Sequence, residues 1–148
     1  MIEAIVQAAT GDEEDVTSTA AQHYQRLLAE HYTWMLGDDI EQTARNQKTL
    51  IEALLGTAPR AAGGTAIDLG CGSGAQTLAL ADLGFTTVLG VDTDETLLAE
   101  LRSHAWGRPT VRTLREDAVT AVSALPERSV DVCVCMGDTL LHLPGPKR

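Results

Sequence analysis

One acid and three glycines at alternate positions form the stretch of this sequence with the clearest chemistry. Asp68 stands two residues before Gly70, and Gly72 and Gly74 follow, between an apolar lead-in and a run typical of a helix at residues 75–83. A strand that ends in a glycine turn at the start of a helix forms a backbone cradle for a ligand. Glycine lets the main chain come close, and the helix N-terminus presents unpaired N–H groups. The spacing G-x-G-x-G differs from the dinucleotide fingerprint G-x-G-x-x-G, which disfavours a nicotinamide-dependent oxidoreductase.

Two further acids stand where predicted strands end. Asp92 follows an apolar strand about 20 residues after the glycines, where a carboxylate accepts hydrogen bonds from ribose hydroxyls. The alternative for Asp92 is a helix cap, a role that Thr93 or Asp94 already fills. Asp117 follows the third predicted strand, and a helix cap is again the alternative to ligand binding.

The pattern D-x-G-x-G-x-G resembles motif I of the class I S-adenosylmethionine (SAM) dependent methyltransferases. The resemblance implies SAM as the cofactor, with Asp68 contacting its methionine part through the ammonium group or a water. It also implies that the Asp117 carboxylate accepts a hydrogen bond from the adenine amino group. The segment from Met136 to His142 resembles motif IV of the family, whose loop lines the methionine moiety and the transferred methyl. The predicted cofactor-binding residues are Asp68, Gly70, Cys71, Gly72, Gly74, Asp92, Thr93, Asp117, Ala118, Met136, Gly137 and Asp138.

The mechanism that the resemblance implies is direct displacement of the methyl group by a nucleophilic atom of the acceptor. Such an enzyme acts mainly by positioning, by excluding water and, for a protonated acceptor, by supplying a base. The candidate catalytic residues are His142 on the motif IV segment and the tyrosines Tyr24 and Tyr32, with His31 as a further candidate base. The alternatives are a solvated surface histidine and, for the tyrosines, packing in the core.

The elements that must position these residues alternate between strand and helix after Gly64. The pattern predicts a parallel, doubly wound α/β sheet with right-handed crossovers and with its less apolar third strand near an edge. The predicted strands span residues 65–69, 86–91, 110–114 and 130–135, and the predicted helices span residues 74–83, 95–103 and 118–125.

The N-terminal region is predicted to be helical. Apolar and aromatic residues from Tyr24 to Met35 recur at helical spacing, and a second helix begins after Asp39 and ends at Gly56. The segment resembles the helical cap that covers the cofactor in many small-molecule methyltransferases. We therefore predict a cap or lid at residues 1–60 and a SAM-binding α/β core at residues 61–148, without two independent domains.

Composition limits the partners of the chain. A net charge of −10 over 148 residues, without a cluster of basic residues, argues against nucleic acid and favours a small or cationic acceptor. The three cysteines are odd in number and indicate a reducing compartment, and Cys133-x-Cys135 lacks a second pair of ligands for a metal site. Both thiols of that pair are expected in the core. Without a signal peptide or a long apolar run, the protein is predicted to be cytoplasmic.

Three functional hypotheses remain open at this stage. The favoured one is a SAM-dependent methyltransferase acting on a small-molecule acceptor. The second is a module that binds SAM or its product S-adenosylhomocysteine without activity of its own, and the third is the oxidoreductase. Class I methyltransferases have seven strands, whereas this sequence ends about a dozen residues after its fourth strand, so we expect either a fragment or a fold completed by something else. Its fourth strand would then be an open apolar edge prone to self-association.

Overall fold

The computed structural model describes residues 39–56, 63–136 and 139–142, with the backbone alone for residues 141 and 142. Within these residues, helices and strands alternate as predicted and a short 3-10 helix follows the last strand. No helix among them is both long and apolar enough to cross a membrane. The elements are α1 (Ile40–Leu55), β1 (Thr65–Leu69), α2 (Ala75–Asp82), β2 (Thr87–Asp92), α3 (Glu95–His104), β3 (Val111–Arg115), α4 (Ala118–Ala124), β4 (Val132–Val134) and the 3-10 helix Thr139–His142.

The strands form one parallel sheet in the order β3-β2-β1-β4. The chain moves outward from β1 to β3 and then returns to the other side of β1 for β4, so the strand order reverses at β1. Ligands of open α/β sheets bind outside the carboxyl ends of the strands at such a reversal. The predicted fold class is confirmed, and β3 lies at an edge as predicted. The first predicted cap helix lies outside the described residues, and the division at residue 60 stays a prediction.

Alternation along β1 separates the two faces of the sheet, because successive strand side chains point in opposite directions. Ile67 and Leu69 pack in a cluster with Ala121 of α4, whereas Ala66 packs with Ile51 of α1. Helices α1, α2 and α3 therefore cover one face, and α4 covers the other. The buried members of the three apolar clusters are Ile67, Leu69, Leu89, Val91, Leu114 and Ala121; Ile51, Ala66, Ala79, Leu80, Phe85 and Val88; and Ala44, Cys71, Leu78, Leu98 and Leu101.

The helix starts agree with the sequence, and the structure decides between two predicted caps. Asp39 accepts from the Gln42 backbone N–H at 2.9 Å, as predicted for the start of α1. Asp94, not Thr93, caps α3 by accepting from the N–H groups of Thr96 and Leu97. Helix α2 begins at Gly74 without a side-chain cap.

The cysteine pair on β4 is less buried than predicted. Cys133 is exposed and Cys135 is half-buried, whereas Cys71 in the glycine turn is buried. Among the described strands, β4 pairs with β1 alone. No described strand therefore lies on the outer side of β4, next to Cys133. The expectation of core packing was wrong for Cys133, because its burial required a further neighbour of β4.

An ion-pair cluster around Arg108 joins three elements on the helix face of α1 and α2. The guanidinium donates to both carboxylate oxygens of Glu41 in α1, at 3.0 and 2.9 Å. It also donates to both oxygens of Asp82 in α2, at 2.9 and 3.0 Å. These hydrogen bonds lower the pKa of both carboxyl groups and raise the pKa of Arg108. Arg108, in the turn before β3, therefore fixes the start of α1 against the end of α2.

Replacing Arg108 with alanine should destabilise the fold by about 1–3 kcal/mol, because two carboxylates lose a bidentate partner. The Arg108 side chain is 19% exposed, and its acidic partners are 44% and 36% exposed, so solvent screening keeps the loss below that of a fully buried pair. Urea unfolding followed by circular dichroism measures the change.

Arg102→Ala is the matched control, since Arg102 pairs with Glu95 on an exposed helix surface. Its effect should stay within about 1 kcal/mol. Equal destabilisation by the two substitutions would contradict the assigned role of Arg108.

Candidate functional site

The glycine turn after β1 folds back onto the end of β2. The backbone N–H groups of Gly70 and Cys71 both donate to the Val91 carbonyl oxygen, at 2.8 and 2.9 Å. Gly70, Gly72 and Gly74 have φ values of +69°, +54° and +104°, which side chains on L-residues disfavour. The alternation of glycines therefore provides the backbone conformations that the turn needs to reach the neighbouring strand.

Two of the glycines also make room for side chains of the protein itself. A Cβ atom on Gly70 would lie 2.0 Å from Oγ1 of Thr139, and one on Gly74 would lie 2.2 Å from Cδ1 of Leu101. Residues 71–74 are buried, while Gly70 is half-buried. Sequence reasoning assigned these glycines to close approach of a ligand. The structure shows that Gly70 and Gly74 are required for internal packing, and their ligand contacts stay a prediction.

The Asp92 carboxylate joins the glycine turn to the next loop. Its Oδ2 accepts from the Gly72 backbone N–H at 2.9 Å, and its Oδ1 accepts from the Asp94 backbone N–H at 3.0 Å. Asp92 is half-buried and Thr93 is exposed. The carboxylate is thus held in one orientation at the carboxyl end of β2 while part of it remains accessible to a ligand.

Asp68 lies beneath the turn and is 1% exposed. Its Oδ2 accepts a hydrogen bond from the Thr77 hydroxyl of α2 at 2.7 Å. Burial raises the pKa of Asp68 to about 7, an effect that the Thr77 hydrogen bond opposes and the nearby Asp92 reinforces. Burial likewise raises the pKa of the Cys71 thiol well above its usual range. The predicted contact of Asp68 with a cofactor ammonium stays a prediction, and Thr77 is a neighbour that sequence reasoning missed.

Asp117 caps α4, as the alternative to ligand binding predicted. Its Oδ1 accepts from the Thr120 backbone N–H at 2.9 Å, a hydrogen bond that lowers the pKa of Asp117. The side chain is exposed and Ala118 behind it is half-buried. An exposed cap has room for a second hydrogen bond, and the predicted contact with an adenine amino group stays a prediction.

The segment after β4 approaches the glycine turn through Thr139. Met136 is half-buried and lies two residues after β4, and its carbonyl oxygen lies 3.5 Å from Oγ1 of Thr139. The backbone of His142 lies in the 3-10 helix that Thr139 begins. The remaining predicted site groups, which are outside the described residues, are Gly137, Asp138, Tyr24, His31, Tyr32 and the His142 side chain.

Comparison with known proteins points to one family. A family model for a methyltransferase domain matches residues 66–148. A ubiquinone biosynthesis O-methyltransferase from Methylococcus capsulatus is 35% identical over 85 residues, which cover 57% of this chain and 35% of that protein. This chain therefore spans about a third of the length of the curated relative that it matches.

Solved structures share the arrangement of the sheet. Phosphoethanolamine N-methyltransferase 1 of Haemonchus contortus, in complex with phosphoethanolamine and S-adenosylhomocysteine, matches 77% of this chain and 24% of its own. Its TM-score is 0.57 at 19% identity, which is evidence for the fold alone. The YcgJ protein of Bacillus subtilis matches 62% of this chain and 37% of its own, with a TM-score of 0.52 at 25% identity.

The raised pKa of Asp68 predicts a specific pH dependence of stability. A carboxyl group whose pKa is higher in the folded than in the unfolded chain binds more protons when folded. Its contribution is fully present below about pH 4 and is lost as the pH rises through about 7. The wild-type chain should therefore lose unfolding free energy between pH 5 and pH 8, and Asp68→Asn should reduce this loss by about 2–4 kcal/mol.

Thr77→Val is the companion variant, because it removes the hydroxyl that opposes the pKa shift. It should extend the loss of stability to higher pH, and urea unfolding across a pH series would resolve both effects. An Asp68→Asn profile that parallels the wild type would show that Asp68 does not titrate in this range.

Proposed function

Because this chain belongs to the methyltransferase domain family, we propose that it binds SAM and transfers the methyl group to a small-molecule acceptor by direct displacement. The observation that carries the proposal is the hydrogen bond from Gly72 N–H to the Asp92 carboxylate. It places the glycine turn and the candidate ribose acceptor side by side at the strand reversal, where α/β sheets bind ligands.

The residues at the ends of β2 and β3 fit the adenosine part of SAM. Asp92 is half-buried, oriented by two backbone N–H groups, and has further lone pairs for ribose hydroxyls. Asp117 is exposed after β3, with Ala118 behind it. We assign the ribose to Asp92 and Thr93, and the adenine amino group to Asp117.

The glycine turn and the segment after β4 would enclose the methionine part. Bound SAM would supply an activated methyl group on a sulfonium. The chain would orient it at the glycine turn, which the bonds from Gly70 and Cys71 to the Val91 carbonyl hold in place, and Thr139 would close the turn against water. Asp68 is positioned beneath the turn to respond to a cationic ligand, since a nearby positive charge favours its ionised form.

A base is required only for an acceptor that carries a proton on its nucleophilic atom. We keep His142, Tyr24 and Tyr32 as the candidates, because in the family that the sequence resembles the motif IV segment and the N-terminal cap lie beside the transferred methyl. Met136, Gly137 and Asp138 are assigned to the methionine side on the same ground.

The net charge of the chain and the curated relative both favour a small-molecule acceptor. The chain carries a net charge of −10 and no basic cluster, which suits a neutral or cationic small molecule. The O-methyltransferase that is 35% identical is named for ubiquinone biosynthesis, and this supports a small-molecule acceptor here. We also propose a cytoplasmic location, since the three cysteines suit a reducing compartment.

A second candidate function is cofactor binding without catalysis by these 148 residues alone. The observation that favours it is the position of β4, which among the described strands pairs with β1 alone. In the family, further strands beyond this edge contribute to the acceptor side. On this hypothesis methyl transfer depends on strands beyond this edge, whereas cofactor binding does not.

Calorimetric titration with S-adenosylhomocysteine and, separately, NAD tests the proposal at its cofactor step. We expect binding of S-adenosylhomocysteine alone. Asp92→Ala should weaken this binding by about 1.5–3 kcal/mol, because two ribose hydroxyls lose their acceptor and the Gly72 N–H loses its hydrogen bond to the carboxylate. Transfer of radiolabelled methyl from SAM to a panel of phenols and amines then separates the active enzyme from the binding module.

Asp94→Ala is the matched control for that titration, since it removes the neighbouring carboxylate that caps α3 without facing the turn. It should lower stability and leave affinity within about twofold of wild type, because its hydrogen bonds go to the helix N-terminus. Unchanged affinity in Asp92→Ala would rule out the ribose assignment.

We further propose that the 148-residue chain self-associates through β4. Among the described strands β4 has no neighbour on its outer side, and such an edge is a template for pairing with another chain; Val132 and Val134 are only half-buried. Light scattering at micromolar concentration should show a dimer or larger species. Cys133→Lys places a charge at an exposed position of this strand and should restore the monomer. A monodisperse wild-type monomer would contradict the proposal.

A further inference from the structure

Arg115 lies between the two loops assigned to adenosine. It is the last residue of β3, and the register of the sheet pairs its Cα with that of Asp92 at the end of β2. Glu116 and Asp117 follow it directly. Paired residues of neighbouring parallel strands project from the same face of the sheet. The Arg115 side chain therefore leaves the sheet on the same face as the candidate ribose acceptor.

Among the described residues, no acid pairs with the Arg115 guanidinium. Its Nε donates to the Thr93 carbonyl oxygen at 3.3 Å, and no ion pair between described residues includes it. The neighbouring carboxylates accept instead from backbone N–H groups, and these pairs are Asp92 with Gly72 and Asp94, Asp94 with Thr96 and Leu97, Glu116 with Asp117, and Asp117 with Thr120. Arg115 is exposed, and its two terminal nitrogens have no hydrogen bond within the described part of the chain.

We propose that Arg115 contacts the adenine ring of the bound cofactor. The inference rests on the proposed function, which puts ribose at Asp92 and the adenine amino group at Asp117. The ring that joins these two groups must then lie across the ends of β2 and β3, where Arg115 reaches the Thr93 backbone. A guanidinium is planar and weakly hydrated, and it both stacks on aromatic faces and donates to ring nitrogens. Its contact with the Thr93 carbonyl holds it at this position before the ligand arrives.

The alternative role for Arg115 is purely structural, as a tie between β3 and the loop after β2. The two roles differ in which ligand they affect. If Arg115 only holds the Thr93 loop in place, its loss lowers the affinity of ligands with and without adenine alike. A contact with the base affects only the affinity of ligands that carry adenine. Comparison of S-adenosylhomocysteine with S-ribosylhomocysteine, the same molecule without its base, separates them.

The experiment measures the affinity of both ligands for wild type, Arg115→Ala and Arg112→Ala by ligand-observed NMR titration. Arg112 is the matched control, because it is an exposed arginine of the same strand whose Nη1 donates to the Pro109 carbonyl oxygen. We expect Arg115→Ala to weaken S-adenosylhomocysteine about threefold to thirtyfold. It should leave S-ribosylhomocysteine within twofold of wild type, and Arg112→Ala should change neither.

The other outcomes overturn the inference in distinguishable ways. Equal weakening of both ligands by Arg115→Ala would assign Arg115 to the structural tie. Unchanged binding of S-adenosylhomocysteine would remove it from the site altogether. A wild-type chain that binds no S-adenosylhomocysteine would overturn the proposed function itself, independently of Arg115.

Discussion

The attachment of the glycine turn to the end of β2 is the contact on which the rest of the site depends. Two turn N–H groups donate to the Val91 carbonyl, and a third donates to Asp92. These bonds place the start of α2 beside the loop that leads into α3. Without these bonds, the Asp92 carboxylate would be separated from the backbone of Gly72. The hydrogen bonds are possible because the glycines adopt positive φ values.

Internal packing accounts for two of the three glycines of the motif. Thr139 and Leu101 occupy the space that side chains on Gly70 and Gly74 would need, so these glycines connect the turn to the segment after β4 and to α3. The same motif thereby brings three separate parts of the chain together. A contact with a cofactor and a contact with the protein's own side chains impose the same requirement for glycine, which is why the sequence pattern does not distinguish them.

Within the described part of the chain, the acidic residues of the site are held by backbone N–H groups and by one hydroxyl, and no ion pair includes them. Asp92 and Asp117 accept from N–H groups at loop and helix starts, and Asp68 is buried with a hydroxyl donor. Acids that accept from such donors keep their orientation without a basic partner among the described residues. Arg115 is consequently left on a backbone carbonyl, with its outer nitrogens directed to no described acid. This arrangement suits a ligand that carries both hydroxyl donors and a flat neutral ring.

The amino-acid sequence by itself determined the order of elements, the parallel sheet, the edge position of β3 and the relationship to the class I SAM-dependent methyltransferases. All of these depend on local hydrophobic periodicity and on the spacing of Asp68 and the glycines, which are properties of neighbouring residues. Tertiary structure decided which contacts each motif residue makes. The exposure of Cys133, the cluster at Arg108, the packing of Thr139 on Gly70 and the position of Arg115 beside Asp92 all join residues distant in sequence. Such pairings depend on strand order and helix placement, so no local pattern in the chain encodes them.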